Sequence, residues 1–381
     1  MGLVDVIGGV GAILCALAVC GALYSVTATV ATWRFLRRPA GTPTQWPTVT
    51  VLKPLHGDEP ELYENLTSFC AQDYAGPVQL VLGAQDPNDP ALDIARRVQR
   101  EHPERDIVLV SDATTHGANR KIGNLINMAA HAHGEVIVIS DSDVRILPNA
   151  LDQIVAALED PGVGLIHCLY RGRATASVWS KLAAMDINTR FMPSVIVGEA
   201  LGTHPCLGPT MALRAGLLDR IGGFGHLANF LADDFELGRA VRATGYRVAS
   251  PRMLIEHVFP ETSAREVWVH ELRWARTIRL VQPAGYMGSI IVHFLCLALL
   301  GAALTGFAGW SLATLGVLFA LRLAQVQILS RLMSSGRSLL WLAPLRDVMT
   351  FGVFIAAIFG NRVEWRGNRM RVARDGAIAA A

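Results

Sequence analysis

The chain has 381 residues, of which 51% are hydrophobic and only 17% are charged, and its mean hydropathy is +0.34. This composition is too apolar for an ordinary soluble protein and predicts a membrane protein. The formal net charge of +2 is too small to indicate a nucleic acid partner, and the six cysteines contain no C-x-x-C pair, which argues against a disulfide framework and a zinc site.

The first predicted element is a membrane anchor at residues 1–38. Residues 6–33 carry no charge and are long enough for one spanning helix. No Lys or Arg precedes this stretch, which argues against a cleaved signal peptide, and the basic cluster Arg34, Arg37 and Arg38 follows it. The positive-inside rule therefore places the following segment in the cytoplasm.

Residues 39–260 have a normal globular composition and are predicted to form one α/β domain. Strands are expected at 48–52, 78–84, 107–111 and 135–140, and helices at 59–70, 91–102 and 121–132. Such alternation predicts a mostly parallel sheet covered on both faces. Ligands of these sheets bind at the carboxyl ends of the strands, so functional residues are expected there.

Two loops at these strand ends have residues suited to a nucleotide. Asp86 and Asp89 lie in a turn after the second strand, where a carboxylate could accept hydrogen bonds from a base or a ribose. A plain Asp/Asn/Pro turn is the alternative. Residues 117–121 open a helix with Arg120 and Lys121, and cations with free N–H groups at a helix start suit a diphosphate. A solvated basic loop is the alternative.

A D-x-D sequence, Asp141 and Asp143, follows the strand at 135–140. Residues i and i+2 of a strand project to the same side. Two carboxylates on one side suit a hard divalent cation, Mg²⁺ or Mn²⁺, shared with substrate phosphates. A strand-end turn without a ligand is the alternative, because Asp and Ser favour turns.

Two later segments also carry candidate chemistry. Asp234 follows a Gly-rich turn and could act as a general base, although acidic residues also stabilise helix starts through the helix dipole. Residues 261–282 are predicted to form an amphipathic helix in the membrane surface, with His270, Arg273 and Trp274. Arg273 could hold a phosphate with two hydrogen bonds, or it could meet only lipid headgroups.

Residues 283–361 are predicted to be a C-terminal membrane region. A helical hairpin is expected at about 286–307 and 311–330. The last apolar stretch, about 339–360, contains Pro344, Arg346 and Asp347 and reads either as a kinked span or as a re-entrant segment. A basic tail at 362–381 follows it, and the basic flanks leave the side of the C-terminus open.

The order of these motifs resembles the family 2 glycosyltransferases and, more closely, the ceramide glucosyltransferases. Asp86 or Asp89, then Asp141-Ser142-Asp143, then Asp234 and finally His270-x-x-Arg273-Trp274 match the family pattern. The stretch His-Glu-Leu-Arg-Trp-Ala-Arg-Thr-Ile-Arg is similar to the bacterial hopanoid-biosynthesis-associated members of this group. His270 departs from the usual Gln or Arg.

The resemblance implies a GT-A-type, Rossmann-like domain between membrane segments, and an inverting enzyme that uses a UDP-sugar. It implies donor binding, Mg²⁺ or Mn²⁺ binding, a general base and a lipid acceptor pocket. Asp86, Asp89, Lys121, Asp141, His270 and Trp274 are assigned to the donor, Asp141 and Asp143 to the metal, Asp234 and Arg273 to catalysis, and Cys206, Gly208 and His204 to the acceptor pocket.

The function expected from this resemblance is transfer of a hexose or N-acetylhexosamine from a UDP-sugar to a lipid hydroxyl. A hopanoid or ceramide-type lipid is the expected acceptor, and the bacterial inner membrane is the expected location, with the catalytic domain in the cytoplasm. A processive polysaccharide synthase, a polyprenyl-phosphate sugar synthase and a non-catalytic membrane scaffold are the alternatives. The sequence leaves the oligomeric state open.

Overall fold

The protein is described by a computed structural model that covers residues 2–334, 339–365, 368–373 and 375–379. The chain forms two compact units. The membrane-helix unit consists of Met1–Phe35, Ala176–Ala200 and Glu261–Ala381, and the sheet unit consists of Leu36–Thr175 and Leu201–Pro260. The sheet unit thus lacks residues 176–200 of the domain predicted at 39–260, whose boundaries stay a prediction.

The α-helices occur in both units. In chain order they are α1 Leu3–Leu36, α2 Leu62–Cys70, α3 Ala91–Glu101, α4 Arg120–Ala129, α5 Ala150–Leu158, α6 Val178–Asp186, α7 Met192–Ala200, α8 Ala215–Arg220, α9 Asp233–Ala243, α10 Ala264–Val281, α11 Pro283–Gly288, α12 Phe294–Leu304, α13 Gly309–Leu332 and α14 Ala343–Ile358. A π-helical turn at Ile187–Phe191 joins α6 to α7, and 3-10 turns lie at Gly225–Leu227, Ser289–His293 and Leu340–Leu342.

The strands form three sheets. They are β1 Val49–Pro54, β2 Val78–Ala84, β3 Asp106–Ser111, β4 Val136–Ser140, β5 Val144–Arg145, β6 Val163–His167, β7 Leu169–Ala174, β8 Thr210–Arg214, β9 Arg247–Ala249, β10 Leu254–Phe259, β11 Arg362–Trp365, β12 Asn368–Val372 and β13 Ile378–Ala379. The main sheet has the order β3-β2-β1-β4-β8-β6-β9, the second β5-β10-β7 and the third β11-β12-β13.

The main sheet confirms the predicted fold class. β1, β2, β3 and β4 pair in parallel, and β8 is inserted antiparallel between β4 and β6. Its strands are runs of apolar residues because helices cover both faces, and the core includes Leu52, Val81, Ile139, Leu165 and Leu213, each at most 1% exposed. The four predicted strands and three predicted helices of this region all form, with ends shifted by up to three residues.

The membrane-helix unit contains four candidate spans among the described residues. They are Val4–Leu36, Pro283–Leu304, Gly309–Leu332 and Leu340–Ile358, each long and apolar enough to cross a bilayer. In the last of them, Pro344 lies in the first turn of α14, where a proline costs no hydrogen bond, so the proline starts this helix and does not kink it. The six cysteines are free, as the sequence predicts.

Six charged side chains pair inside this unit, and we call them the membrane ion network: Asp186, Arg190, Glu271, Arg322, Arg346 and Asp347. Arg190 binds Asp186 through two hydrogen bonds, and Arg322 binds Asp347 at 2.7 and 2.9 Å. Arg346 donates to Glu271 and lies 3.5 Å from Asp186. Three arginines thus face three carboxylates, which balances the buried charge.

The C-terminal sheet was not predicted, since its residues read as a basic tail. β11, β12 and β13 pair antiparallel within the membrane-helix unit. Arg276 donates to the carbonyls of Phe359 and Arg362, and Arg279 donates to that of Gly360 at 2.7 Å. These two arginines of α10 therefore bind backbone carbonyls beyond the end of α14, which is a more specific role than contact with lipid headgroups.

Candidate active site

The candidate site is built at the carboxyl edge of the main sheet. β1, β2 and β4 are parallel, so their carboxyl ends lie at the same edge. Asp86 lies two residues past β2, and Asp141 is the first residue past β4. The antiparallel β8 starts at Thr210, so the chain that leads into it reaches the same edge, and Asp141 N donates to Pro209 O at 3.0 Å.

Asp86 and Asp89 lie in one turn but differ in their burial and in their hydrogen bonds. Asp86 is exposed, and one of its oxygens accepts the Asn88 N–H at 2.9 Å. Asp89 is buried, and its two oxygens accept the Gly57 N–H at 2.8 and 3.0 Å and the Ala91 N–H at 3.0 Å. Asp89 therefore has a structural role, because it accepts hydrogen bonds from the start of α3 and from the loop at Gly57. Of the two, Asp86 is the better donor contact.

The D-x-D sequence forms a turn between β4 and β5, and it is not part of either strand. Asp141 Oδ1 lies 2.7 Å from Lys121 Nζ. Asp143 Oδ2 lies 3.0 Å from His257 Nε2, while the buried Asp143 Oδ1 accepts no hydrogen bond from any described residue. The sequence predicted two equivalent carboxylates on one side of a strand. In the structure the two carboxylates lie in a turn and have different partners.

The two carboxyl groups also differ in their pKa. Burial acts to raise the pKa of Asp143, but attraction and a hydrogen bond to His257, together with Lys53 and Lys121, hold that pKa at about 2. Burial raises the pKa of Asp141 above its usual value despite Lys121. Asp143 is therefore the more firmly ionised of the pair and the better ligand for a hard cation.

The basic helix start at residues 117–121 is held against the chain before α9. Lys121 Nζ lies 3.6 Å from Asp233 Oδ2 in addition to its contact with Asp141. These two carboxylates raise the pKa of Lys121 against the lowering effect of its burial. The Ala118 N–H donates to Asn229 Oδ1, the Asn119 N–H donates to Ala228 O, and Asn119 Oδ1 accepts the Ile122 N–H.

This arrangement removes part of the predicted anion site at the helix start. Of residues 117–121, the N–H groups of Ala118 and Asn119 already have partners. The Lys121 ammonium already bridges two carboxylates. A diphosphate at this point would therefore have to bind without the N–H groups of Ala118 and Asn119.

Asp234 lies in the first turn of α9 and has a raised pKa. Its Oδ1 accepts the Phe235 N–H at 2.7 Å. Burial and the adjacent Asp233 raise the pKa of Asp234 to about 7. A base is most effective when its pKa lies near the operating pH, so this feature favours the catalytic interpretation over simple complementarity to the helix dipole.

The residues assigned to the acceptor pocket lie before β8. A Cβ atom added to Gly208 would lie 3.2 Å from Asp234 Oδ2, so the glycine keeps the space beside this carboxylate open. Cys206 is buried, and burial raises the pKa of its thiol well above the usual value, which makes it a packing residue and a poor nucleophile. His204 is exposed, and its carbonyl accepts a hydrogen bond from Arg242.

His270, Arg273 and Trp274 lie on α10 in the membrane-helix unit. His270 Nδ1 lies 2.5 Å from Oε1 of the buried Glu261, and its ring meets Trp274 edge-on at 4.4 Å between centroids. The Arg273 guanidinium stands over the Trp365 ring at 5.8 Å. These contacts fix the three side chains, and their assignment to the donor site stays a prediction.

Sequence reasoning missed three residues of the site. Lys53, Asp233 and His257 contact the D-x-D turn or its partner Lys121. Asp233 adjoins Asp234 in the same acidic motif, and the sequence assigned it no role of its own. Lys53 stands inside a strand and His257 more than 100 residues after Asp143, and only the folded sheet brings them to this turn.

We call the six charged residues at this edge the carboxyl-edge cluster: Lys53, Lys121, Asp141, Asp143, Asp233 and Asp234. Four carboxyl groups face two lysines, so the cluster lacks positive charge. Among the described residues, no group of three or more His, Cys, Asp or Glu side chains is arranged to hold a metal ion. The unpartnered Asp143 Oδ1 beside His257 is nevertheless a fitting position for Mg²⁺ or Mn²⁺, whose other ligands would come from diphosphate and water.

The comparisons with known proteins agree with one another. Residues 13–378 match the model of Glycosyl transferase family 21. Ceramide glucosyltransferase 3 of Caenorhabditis elegans is 23% identical over 355 residues, which cover 87% of this chain and 74% of that protein. Ceramide glucosyltransferase of Candida albicans is 30% identical over 121 residues, which cover 29% of this chain and 22% of that protein.

A solved structure shows a similar fold. A mannosyltransferase from Pyrobaculum calidifontis, in complex with GDP-Man and Mn²⁺, superposes with a TM-score of 0.51 at 24% identity. The superposition covers 92% of this chain and 97% of that chain. At this identity the likeness concerns the fold alone.

Proposed function

The chain belongs to glycosyl transferase family 21, and we propose that it transfers a hexose or N-acetylhexosamine from a UDP-sugar to a hydroxyl group of a membrane lipid. Its membership confirms the predicted relation to the ceramide glucosyltransferases and the prediction of a glycosyltransferase. The link to hopanoid biosynthesis stays a prediction. The expected acceptors remain a hopanoid or a ceramide-type lipid.

One observation carries the proposal, namely the charge imbalance of the carboxyl-edge cluster. Four carboxyl groups stand against two lysines, with an unpartnered buried oxygen on Asp143. Buried charge of one sign is costly unless a partner compensates it. A divalent cation bound at Asp143 would supply positive charge there and could also bind the diphosphate of a nucleotide, and ligands of a sheet of this type bind at the carboxyl edge.

The donor is held by residues of the sheet unit in this proposal. Asp86 accepts hydrogen bonds from the uridine, and Lys121 exchanges part of its contact with Asp141 for the diphosphate. Asp143 and His257, with Asp141, would hold Mg²⁺ or Mn²⁺. When bound, this ion neutralises charge that develops on the departing UDP. Arg273 adds to that neutralisation, and His270 and Trp274 contact the donor.

Asp234 acts as the base on the acceptor. Its pKa of about 7 leaves a large share of the carboxylate ionised at neutral pH and able to take a proton. The open space at Gly208 beside Asp234 Oδ2 gives an acceptor hydroxyl room to approach. The hydroxyl oxygen then bonds to the anomeric carbon as the bond from that carbon to UDP breaks, which inverts the configuration.

Residence in a membrane would give the enzyme access to a lipid acceptor in this proposal. Four candidate spans and the amphipathic α10 support residence in a bilayer. We propose the bacterial inner membrane, with the sheet unit in the cytoplasm, because the basic residues Arg34, Arg37 and Arg38 follow α1. Cys206, Gly208 and His204 border the acceptor in this arrangement.

A panel of radiolabelled UDP-sugars tests the proposal. The purified enzyme is incubated with each sugar, Mn²⁺ and native membrane lipid extract, and the products are analysed by mass spectrometry. We expect one sugar to appear on one lipid class in a metal-dependent manner. Polymer formed without added lipid would instead indicate a polysaccharide synthase, product on a polyprenyl phosphate would indicate the phosphate-directed alternative, and no transfer with any sugar would contradict the proposal.

A further inference from the structure

Lys53 has an unusual position for a lysine. It is the last residue but one of β1, with an exposure of 0%, beneath the D-x-D turn. Its Nζ donates to Asp141 O at 2.7 Å and to Val144 O at 3.3 Å, and stands 4.1 Å from the centre of the Phe69 ring. Fully buried lysines are rare and need partners, because burying a charged group costs free energy. The position of Lys53 therefore calls for a structural or functional reason.

The turn that Lys53 binds is held by its backbone. Val144 N donates to Asp141 O at 3.2 Å, which closes a four-residue turn from 141 to 144. The four carbonyls of this turn all accept hydrogen bonds. Asp141 O and Val144 O accept from Lys53, Ser142 O from the Asn65 side chain at 3.2 Å, and Asp143 O from Val258 N at 2.9 Å. One lysine thus joins the first and last residues of the turn.

The composition of the chain makes this lysine stand out further. The sequence contains 31 arginines and only three lysines, at 53, 121 and 181. Two of the three bind Asp141, one through its carbonyl and one through its carboxylate. An ammonium is a compact group with three rotatable donors, whereas the planar guanidinium of Arg is larger and has a fixed geometry. The closed space beneath the turn therefore suits Lys and not the otherwise preferred Arg.

We propose that Lys53 is a positioning residue of the donor site, which fixes the backbone of the 141–144 turn so that the carboxylates of Asp141 and Asp143 are preorganised for a metal-bound nucleoside diphosphate. This inference rests on the proposed function for the identity of the ligand. Lys53 is buried beneath the turn and acts through the backbone, so it is not itself a ligand of the donor. Preorganised carboxylates bind a cation without first paying to order the turn.

Two measurements on the full-length protein in detergent test this inference. The first is Mn²⁺ binding in the presence of UDP, followed by electron paramagnetic resonance. The variants are Lys53→Met, which has a similar length and no donor, and Lys181→Met, in which the exposed third lysine is changed. We expect Lys53→Met to raise the Kd of Mn²⁺ with UDP at least tenfold while the melting temperature changes little, and Lys181→Met to match wild type.

The second measurement is amide hydrogen exchange of the peptide that contains residues 141–144. Lys53→Met should speed this exchange at least tenfold, and Lys181→Met should leave it unchanged. This readout needs no donor. If wild type fails to bind Mn²⁺ with UDP, the proposed function fails, whereas the role of Lys53 in fixing the turn is still decided by the exchange rate.

Several results would refute the positioning role of Lys53. A folded Lys53→Met that binds Mn²⁺ with UDP within threefold of wild type, or that exchanges at the wild-type rate, refutes the positioning role. Should Lys53→Met not fold, Lys53→Gln decides, because its amide keeps one donor for the turn: binding weakened at least threefold supports the role, and wild-type binding refutes it. Failure of both variants to fold leaves Lys53 as a residue of stability only and also refutes it.

Discussion

Each compact unit of this protein contains a group of buried or half-buried charged side chains, and the two groups are organised differently. In the membrane ion network, three arginines face three carboxylates, and Arg322 and Asp347 are only 5% and 9% exposed. In the carboxyl-edge cluster, four carboxyl groups face two lysines. The first group is balanced within the protein, whereas the second has two more carboxyl groups than lysines.

This difference separates two uses of buried charge. A balanced network needs nothing further and joins the elements that carry it, here α6, α10, α13 and α14. The carboxyl-edge cluster has more carboxyl groups than lysines, and Asp143 Oδ1 accepts no hydrogen bond from any described residue. A raised pKa does not distinguish the two groups, since burial raises the pKa of Asp234 in one and of Glu271 in the other to about 7. The different effects that we expect from changes in the two groups therefore follow from their charge balance.

Changing Asp234 to Asn should have the largest effect. The amide cannot take a proton from the acceptor, and loss of a positioned base typically lowers the rate by about 10²–10⁴. Binding of UDP with Mn²⁺ should persist, because Asp234 is not assigned to the donor. Activity is measured as lipid product per unit time and binding by calorimetry. Residual activity above about a tenth of wild type would refute the base assignment and favour a phosphate acceptor, which needs no strong base.

Changing Asp347 to Leu should affect stability and not donor binding. It leaves Arg322 buried without its carboxylate partner, and breaking a buried pair costs about 3–5 kcal/mol. The double variant Arg322→Met/Asp347→Leu should recover much of this loss, because both charges are then removed. Thermal unfolding in detergent measures both. The comparison between the two groups would be wrong if folded Asp347→Leu lost its affinity for UDP with Mn²⁺.

The fold was predictable from the sequence to a large extent. The apolar strands and intervening helices of residues 48–140 have strong periodicity, and the apolar stretches gave the four candidate spans. The C-terminal sheet was missed because Arg362, Arg369 and Arg371 read as a basic tail. Short antiparallel strands that carry many charges depend on tertiary packing more than on their own pattern.

The site was predictable only where its residues form local motifs. Asp141, Asp143 and Asp234 were found because they stand in short acidic sequences at element ends. His257 and Lys53 were not found, because a single histidine or lysine in an apolar strand carries no sign of the residue that it will meet. The distinction between Asp86 and Asp89 also needed the structure, since burial decides it.

Changes at the D-x-D turn should have an intermediate effect, and the effect should differ between its two carboxylates. Asp143→Ala removes the unpartnered oxygen and the partner of His257, and we expect it to weaken Mn²⁺-dependent UDP binding by about 10–100-fold. Asp141→Ala should weaken it less, because Lys121 already occupies that carboxylate. His257→Gln should resemble a milder Asp143→Ala. Calorimetry with and without Mn²⁺ measures these effects, and equal losses in both Asp variants would contradict the division.

The smallest expected effect is a shift in the pH dependence of the rate. Asp234 must be ionised to act as a base, so kcat/KM should fall as the pH falls through about 7. Replacing Asp233 by Asn removes the neighbouring charge that helps to raise the pKa of Asp234, and the acid limb of the profile should move to lower pH. Asp219→Asn, a change elsewhere in the sheet unit, serves as the control and should leave the limb in place.

The same shift in pKa makes a prediction about stability whose sign is opposite to that for activity. Because the pKa of Asp234 is higher in the folded protein than in the unfolded chain, the folded protein binds its proton more tightly. Stability from this group is full below about pH 4 and is lost as the pH rises through about 7. Asp234→Asn avoids that loss. The melting temperature of the variant should therefore rise relative to that of wild type as the pH increases from 4 to 8. A gain in melting temperature that does not grow with pH would mean that the pKa of Asp234 is not raised in the folded protein.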